Sequence, residues 1–339
     1  MNATRPSRDT HVRLAHGNGG RLMRELVDGL FVAALANPNL DARVDAVALP
    51  LPAGQDLVVT TDGFTVQPLE FPGGNIGSLA VHGTVNDLAV SGSTPHFLTL
   101  GVILEEGLEI ARLERVVAAL ALAARTCGVA VVAGDTKVVG RGECDGIYLT
   151  VTGIGFRPPG VSLALASIQA GDRVLVSGPV GDHGAAVLLA REAYGLRGNL
   201  HSDAASVLPQ ARALMAVPGL RFMRDPTRGG LATVAHEIAR ATGLGLYLAE
   251  SHIPVRASVQ SFCELLGFDP LYLACEGRVV AVVAPQDADA ALRALRAVSP
   301  DAALIGDLRP GPPIVVLDTA FGGQRVLDEL DDDPLPRIC

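Results

Sequence analysis

Three aspartates lie where an α/β protein often builds a ligand site. Asp62 and Asp135 each follow directly on a segment with a strand pattern, and such strand ends commonly present ligand-binding groups. Asp87 lies on the apolar face of a predicted helix, where an unpaired charge is costly. Convergent carboxylates beside a phosphate ligand suit Mg²⁺. The alternative is that Asp62 and Asp135 are turn residues and that Asp87 is a salt-bridged core group.

Cys339 is the second candidate for chemistry. It ends an acidic, proline-containing segment, residues 331–339, whose composition predicts a mobile arm. A thiol on such an arm can carry a group from one active site to another. Arg337 would favour the thiolate, whereas the chain's own carboxylate would oppose it. The alternative is an exposed thiol without a role.

Glycine-rich segments precede predicted helices at residues 16–20, 71–75 and 178–184. Each can present backbone N–H groups to an anion, but each is also typical of a plain turn. None matches the P-loop or the dinucleotide fingerprint. Lys137, two residues after Asp135, could offset phosphate charge or orient a leaving group; otherwise it is a solvated loop lysine.

Alternating strand and helix patterns position these residues. In the first half, strands are predicted at 57–61, 97–104, 129–133 and 147–156, and helices at 76–90 and 108–124. In the second half, strands are predicted at 173–177, 244–248, 278–284 and 313–317, and helices at about 185–194 and 228–240.

The fold class is therefore α/β (α+β) with two domains. Arg157-Pro158-Pro159-Gly160 interrupts the pattern and is the best boundary. We divide the chain into an N-terminal segment (1–45), a first domain (46–156), a second domain (157–320) and a flexible C-terminal tail (321–339).

Composition excludes several classes of protein. The chain has 339 residues and a formal net charge of −9, without a Lys/Arg cluster that could track nucleic-acid phosphates. The longest apolar run, Val116–Ala124, is about half of a membrane-spanning helix, and the first twenty residues lack a signal-peptide core. Five cysteines without a C-x-x-C pair favour reduced thiols over disulfides or zinc. We expect a cytoplasmic protein that binds neither nucleic acid nor membranes.

Five segments together resemble the HypE family of hydrogenase maturation factors. They are Val85–Ala89, Ala133–Val139, Gly178–Gly184, Arg224–Leu231 and Pro336–Cys339. The resemblance runs from residue 16 to the last residue, and the terminal cysteine is its most specific element. It implies a fold similar to that of aminoimidazole ribonucleotide synthetase. The first domains of two subunits would join their strands into a barrel, which makes a homodimer.

The resemblance also implies an activity. Cys339 would receive a carbamoyl group from the carbamoyltransferase HypF, and the protein would dehydrate the S-carboxamide to an S-cyano group with ATP. The cyanide would pass to iron held by the partners HypC and HypD, for the active site of nickel-iron hydrogenase.

The same resemblance suggests roles for individual residues. Asp62, Asp87 and Asp135 would hold Mg²⁺ and ATP, and Lys137 would stabilise the transferring phosphoryl oxygens. The rest of the nucleotide site would comprise Asn86, Thr136, Gly19 and Gly20.

The general base would be Glu276 by family resemblance. His183 is the second choice, because its ordinary pKa suits proton transfer near neutrality. Either residue could instead be structural, since a glutamate before glycine is often in a turn and His183 precedes a helix that it could cap.

Two competing interpretations remain at this point. A small-molecule kinase or ligase of the same fold, such as thiamine-phosphate kinase or selenophosphate synthetase, would use similar aspartates. The latter needs a cysteine or selenocysteine near the N-terminus, and no cysteine precedes Cys127. The other interpretation is a non-catalytic thiol scaffold that docks on maturation partners or carries iron.

Overall fold

The computed structural model describes residues 9–18, 20–42, 44, 46–191, 198–330 and 337–339. Its strands are β1 (Asp56–Phe64), β2 (Glu70–Phe71), β3 (Gly74–Asn75), β4 (Thr94–Glu105), β5 (Ala130–Val139), β6 (Ile147–Arg157), β7 (Arg173–Val176), β8 (Leu220–Arg224), β9 (Gly245–Ala249), β10 (Val280–Val283), β11 (Ala303–Arg309), β12 (Val315–Asp318) and β13 (Gln324–Val326). Its helices are α1 (21–35, with π-helical turns at Val27–Val32), α2 (Ile76–Val90), α3 (Ile110–Cys127), α4 (Asp182–Arg191), α5 (Leu208–Met215), α6 (Gly230–Thr242), α7 (Ala257–Leu266) and α8 (Ala288–Val298).

A four-stranded sheet in the order β1–β6–β4–β5 forms the first domain. β6 is antiparallel to both β1 and β4, and β4 is parallel to β5. Helices α2 and α3 pack against each other and against one face of this sheet. The opposite face is more open, and Leu57 and Val59 on β1 are 55% and 58% exposed there. The sheet thus has a covered face and an open face.

A seven-stranded sheet in the order β13–β12–β9–β11–β7–β10–β8 forms the second domain. Its neighbouring strands are antiparallel except for the parallel pair β12–β9. α6 places Leu231, Val234 and Ile238 on one apolar stripe, so that this helix buries them against the sheet. The core of the first domain continues into α4 and includes Ile338 of the C-terminus, so the two domains share buried contacts.

Two predicted strand ends are wrong. β1 continues to Phe64 and β5 to Val139, because pairing with β6 and β4 does not stop at the Asp-Gly and Gly-Asp-Thr sequences. Asp62 lies opposite Val151 and Asp135 lies opposite Gly101, so both aspartates are strand residues.

Residues 321–330 and 337–339 of the predicted tail are described and contact the rest of the protein. β13 pairs with β12 and Leu327 is fully buried, so the predicted tail boundary at residue 321 is too early. Residues 331–336, and residues 192–194 of the helix predicted at 185–194, lie outside the described residues. Residues 337–339 are described and are packed against the protein. Among the helices of the described ranges, none is both long and apolar enough to cross a membrane.

Candidate active site

Helix α2 and strand β1 bring two of the predicted carboxylates together. Asn75 caps the start of α2 through N–H groups of the first turn. In its last turn, Asp87 Oδ2 accepts a hydrogen bond from Thr60 Oγ1 of β1 at 2.7 Å. Asp62, two residues further along β1, lies beside Asp87. Burial, together with repulsion from Asp87, raises the pKa of Asp62 to about 6.

The second domain adds two buried carboxylates to this pair. Asp225 follows β8 directly; burial and then repulsion from Asp87 raise its pKa to about 7. Glu276 is 2% exposed, and burial followed by repulsion from Asp225 raises its pKa well above the usual range. Its Oε1 atom has no hydrogen-bond partner among the described residues. We call Asp62, Asp87, Asp225 and Glu276 the acidic cluster.

Asn86 fixes the main chain at Glu276. Its Nδ2 donates to the Glu276 carbonyl at 3.1 Å and to the Ala205 carbonyl at 3.0 Å, and its Oδ1 accepts from the Val207 N–H at 2.8 Å. Asn86 is 1% exposed. Both amide protons of Asn86 are thus used within the protein, and its contact with nucleotide stays a prediction.

A buried ion network supports the same segment. Asp203 Oδ1 accepts a hydrogen bond from the Glu276 N–H at 3.1 Å, and Arg278 lies between Asp203 and Asp182 at 3.5 and 3.1 Å. The glycine-rich segment 178–184 packs here as well, since the Gly184 N–H donates to the Ala274 carbonyl at 3.0 Å. Glu276 is thus held by rigid, buried partners.

The C-terminus pairs with the chain that follows β1. The Thr65 N–H donates to the main-chain oxygen of Cys339, and the Gln67 N–H donates to the Arg337 carbonyl, both at 3.2 Å. Ile338 between them is 2% exposed. Cys339 is half-buried and is not part of a disulfide in the described chain. Thr65, which binds the last residue, lies three positions along the chain from Asp62.

Gly83 of α2 connects this end of the chain with Glu276. A Cβ at Gly83 would lie 3.0 Å from the Phe64 ring and 3.9 Å from Glu276 Oε2, so only glycine allows this close approach. Phe64 in turn precedes Thr65, which binds Cys339. The structure thus places Cys339 at the same end of the sheet as the acidic cluster.

Asp135 and Lys137 form a separate group on β5. Their side chains make an ion pair at 3.0 Å and are 63% and 65% exposed. Asp62 pairs with Val151, Val151 with Leu100, and Leu100 with Gly134, so positions 62 and 134 lie on the same face of the sheet. Successive residues of a strand alternate between faces, so the side chain of Asp135 points to the opposite face. Two strands separate β5 from β1, which is a distance of about 14 Å. The structure does not bring Asp135 or Lys137 to the acidic cluster of the same chain.

The first glycine-rich segment lies beside this β5 group. A Cβ at Gly17 would lie 2.8 Å from the Val138 main-chain nitrogen, so residues 16–18 pack against β5. Gly20 is the exposed N-cap of α1, and Gly19 lies outside the described residues. Thr136 is buried, and its N–H donates to Asp135 Oδ1 at 2.9 Å.

The carboxylates fit a nucleotide-bound Mg²⁺ better than a site made by protein alone. Within the described ranges, no three His, Cys, Asp or Glu residues have the spacing of a metal site. Mg²⁺ is usually held by one or two carboxylates together with substrate phosphates. The neighbouring carboxylates Asp62 and Asp87 match that requirement, whereas the third predicted ligand, Asp135, lies away from them on β5.

Two residues of the site were not predicted from the sequence. Asp225 follows a strand, the same signal that selected Asp62 and Asp135, but the short strand Leu220–Arg224 has no clear period. Asp203 has no local signal, because its role depends on contact with Glu276, far away in sequence.

Two family models match the two domains. The model for the N-terminal domain of AIR synthase related proteins covers residues 43–156, and that for the C-terminal domain covers residues 169–318.

Individual relatives match nearly the whole chain. The carbamoyl dehydratase HypE of Azotobacter vinelandii is 46% identical over 336 residues, which is 98% of each protein. A crystal structure of a hydrogenase maturation protein HypE in complex with ATP superimposes with a TM-score of 0.91 at 43% identity, over 96% of this chain and 99% of the other. A chain from a HypE–HypF complex gives a TM-score of 0.79 at 41% identity, over 90% and 99% of the two chains.

Proposed function

The chain belongs to the HypE family of carbamoyl dehydratases, enzymes of hydrogenase maturation, and on this basis we propose that it dehydrates an S-carbamoyl group on its own Cys339 with ATP. The product is an S-cyano group, which supplies cyanide ligands to the iron of nickel-iron hydrogenase. The observation that carries the proposal is the docking of Cys339 on Thr65, directly after β1, the strand that carries Asp62.

The reaction needs a leaving group and a base. A carboxamide oxygen leaves poorly, but once it accepts the γ-phosphoryl group of ATP it can leave as phosphate. The nitrogen loses one proton as this phosphorylated imidate forms and a second as the C≡N bond forms. ATP becomes ADP, and the carboxamide oxygen ends in inorganic phosphate.

Glu276 suits the removal of these protons. Burial raises the pKa of its carboxyl well above the ordinary value, so its carboxylate form is a stronger base than an exposed glutamate. Its Oε1 atom is without a hydrogen-bond partner in the described protein, and Asn86 and Asp203 hold its main chain in place. Asp62 and Asp87 would hold Mg²⁺, which neutralises phosphate charge when it is bound with ATP.

We also propose that the enzyme acts as a homodimer. β1 and β5 are the edge strands of the four-stranded sheet, and the open face of the sheet exposes the apolar side chains of Leu57 and Val59. A second copy that joins its strands to this sheet would cover these groups. It would also provide Asp135 and Lys137, which the acidic cluster lacks within one chain, to the phosphates.

The partners follow from the same scheme. The carbamoyltransferase HypF would load Cys339, and the relative crystallised in a HypE–HypF complex supports this pairing. HypC and HypD would receive the cyanide. All of these steps would take place in the cytoplasm.

A measurement of phosphate release tests the proposed function. Protein carbamoylated at Cys339 should release one inorganic phosphate per chain from Mg²⁺–ATP, whereas unmodified protein should release almost none. Equal release by both forms would instead favour a small-molecule kinase or an unrelated ATPase. The Cys339→Ala variant, treated with the same carbamoyl donor, is the control for phosphate that does not depend on the thiol.

Asp87→Asn tests the Mg²⁺–ATP site. The amide keeps the shape of the side chain and can still accept from Thr60, but it removes a charge that faces the ion. We expect affinity for Mg²⁺ with a non-hydrolysable ATP analogue to fall about tenfold or more in calorimetric titration. The melting temperature should stay equal or rise, because carboxylate crowding is relieved.

The control for this variant is Asp289→Asn, since Asp289 is exposed on α8. It should change neither quantity. A large loss of stability in Asp87→Asn with normal nucleotide affinity would show that Asp87 is a structural core group.

A further inference from the structure

His183 is buried in the first turn of α4, and both of its ring nitrogens are engaged. Nε2 lies 2.8 Å from the Ile338 carbonyl oxygen, and Nδ1 lies 2.7 Å from Ser202 Oγ. The ring also meets Phe71 edge to face, with centroids 5.4 Å apart. No other side chain in the described protein hydrogen-bonds to the Ile338 carbonyl.

These contacts determine the tautomer. A carbonyl oxygen can only accept, so Nε2 must carry the proton that it donates to Ile338. Nδ1 then accepts from the Ser202 hydroxyl, whose oxygen also accepts the Ala204 N–H at 3.0 Å. Burial lowers the pKa of His183, which favours this neutral form. The lone pair of the ring is therefore already occupied and is not available to a substrate proton.

The Ile338 carbonyl is the interior point of attachment of the C-terminus. The carbonyl of Arg337 accepts from Arg191 at 2.6 Å as well as from Gln67, so it keeps one partner if the other is lost. Ile338 is 2% exposed and packs in the main core, so without His183 its carbonyl would be buried with no partner. A buried, unsatisfied acceptor is costly, so this one bond has a large effect on whether the C-terminus stays docked.

We propose that His183 is a positioning residue that latches the C-terminus, with its Nε2–H holding the Ile338 carbonyl so that Cys339 stays beside the acidic cluster. Ser202 supports the latch by fixing the tautomer. This proposal rests on the proposed function, in which Cys339 leaves the site to be carbamoylated and returns to be dehydrated. The latch would hold it in place for the second step. The latch gives His183 a role other than that of the second-choice general base.

Alkylation of Cys339 in the unmodified, full-length protein tests the latch without ATP or carbamoyl donor. The rate is read with iodoacetamide from the mass of the C-terminal peptide. His183→Leu fills the space but lacks a donor, so the rate should rise about tenfold or more. His183→Gln places an amide N–H near the position of Nε2, so its rate should stay within about threefold of wild type.

His82→Leu is the matched control. His82 is a largely buried histidine on α2 whose Nδ1 has no hydrogen-bond partner among the described residues. Its replacement should leave the alkylation rate unchanged. If His183→Leu does not fold, Ser202→Ala replaces it. This variant loses the hydroxyl that fixes the tautomer, so the alkylation rate should rise about fivefold or more, beyond the range expected of His183→Gln.

The results separate the latch from the proposed chemistry. A wild-type alkylation rate in folded His183→Leu, or equal rates for the Leu and Gln variants, would overturn the latch even if dehydration proceeds normally. If the latch holds, carbamoylated His183→Leu should dehydrate more slowly at saturating ATP with an unchanged KM for ATP, and His183→Gln should restore the rate. Failure of dehydration in every form, wild type included, would refute the function and leave the alkylation result standing.

Discussion

Replacing Cys339 with alanine is expected to abolish formation of the S-cyano product completely, because the thiol is the atom that carries the substrate. Of the other cysteines, Cys144, Cys263 and Cys275 are buried, and Cys127 is half-buried at the end of α3, so we expect none of them to replace Cys339. The melting temperature should change little, since Cys339 is only half-buried. Mass spectrometry of the protein after incubation with carbamoyl donor and ATP measures the product directly.

Cys127→Ala is the matched control, because Cys127 is also a half-buried thiol. It should retain full activity. Adding residues after Cys339 should also abolish function while the fold survives, because the main-chain oxygen of Cys339 is docked on Thr65 and a longer chain would obstruct the site. Any cyanide formed by Cys339→Ala would show that the substrate is carried elsewhere.

Replacing Glu276 with glutamine is expected to slow dehydration by about 10² to 10⁴, the usual contribution of a positioned general base. Binding of Mg²⁺–ATP and carbamoylation of Cys339 should remain normal, because neither step requires Glu276 to accept a proton. Glutamine has the same shape and removes repulsion with Asp225, so the melting temperature should not fall. Single-turnover mass spectrometry of the carbamoylated variant gives the rate.

Two outcomes would contradict this role of Glu276. Dehydration at the wild-type rate would show that solvent or the substrate itself acts as the base. A loss of carbamoylation as well as dehydration would show that Glu276 acts on the structure of the whole site. Glu264→Gln, on α7, is a control outside the acidic cluster.

Local patterns predicted the parts of the fold that depend on neighbours in sequence. The helix predicted at 76–90 is found at Ile76–Val90, since its apolar residues recur at helical steps and Asn75 caps it. The same periodicity placed Asp87 on the face that meets β1, where it contacts Asp62. The terminal cysteine was also apparent from the sequence alone.

Features that depend on distant contacts were not predictable in this way. The ends of β1 and β5 are set by their partner strands, which override the turn tendency of Asp62-Gly63 and Gly134-Asp135. Asn86 seemed suited to a ligand, but its amide instead bonds main-chain groups more than 100 residues away. Nothing local in the sequence indicates that Asp135 faces away from Asp62, because that depends on the register of three strand pairs.

The most direct test of the central claim is the mass of the C-terminal peptide during a single turnover. Full-length protein carbamoylated at Cys339 is mixed with Mg²⁺–ATP, quenched at intervals and digested. The peptide should lose the mass of one water as the carboxamide becomes the cyano group, at the rate at which phosphate appears. If ATP is consumed while the carboxamide mass persists, or while the peptide returns to the unmodified thiol, the protein does not dehydrate the group on Cys339.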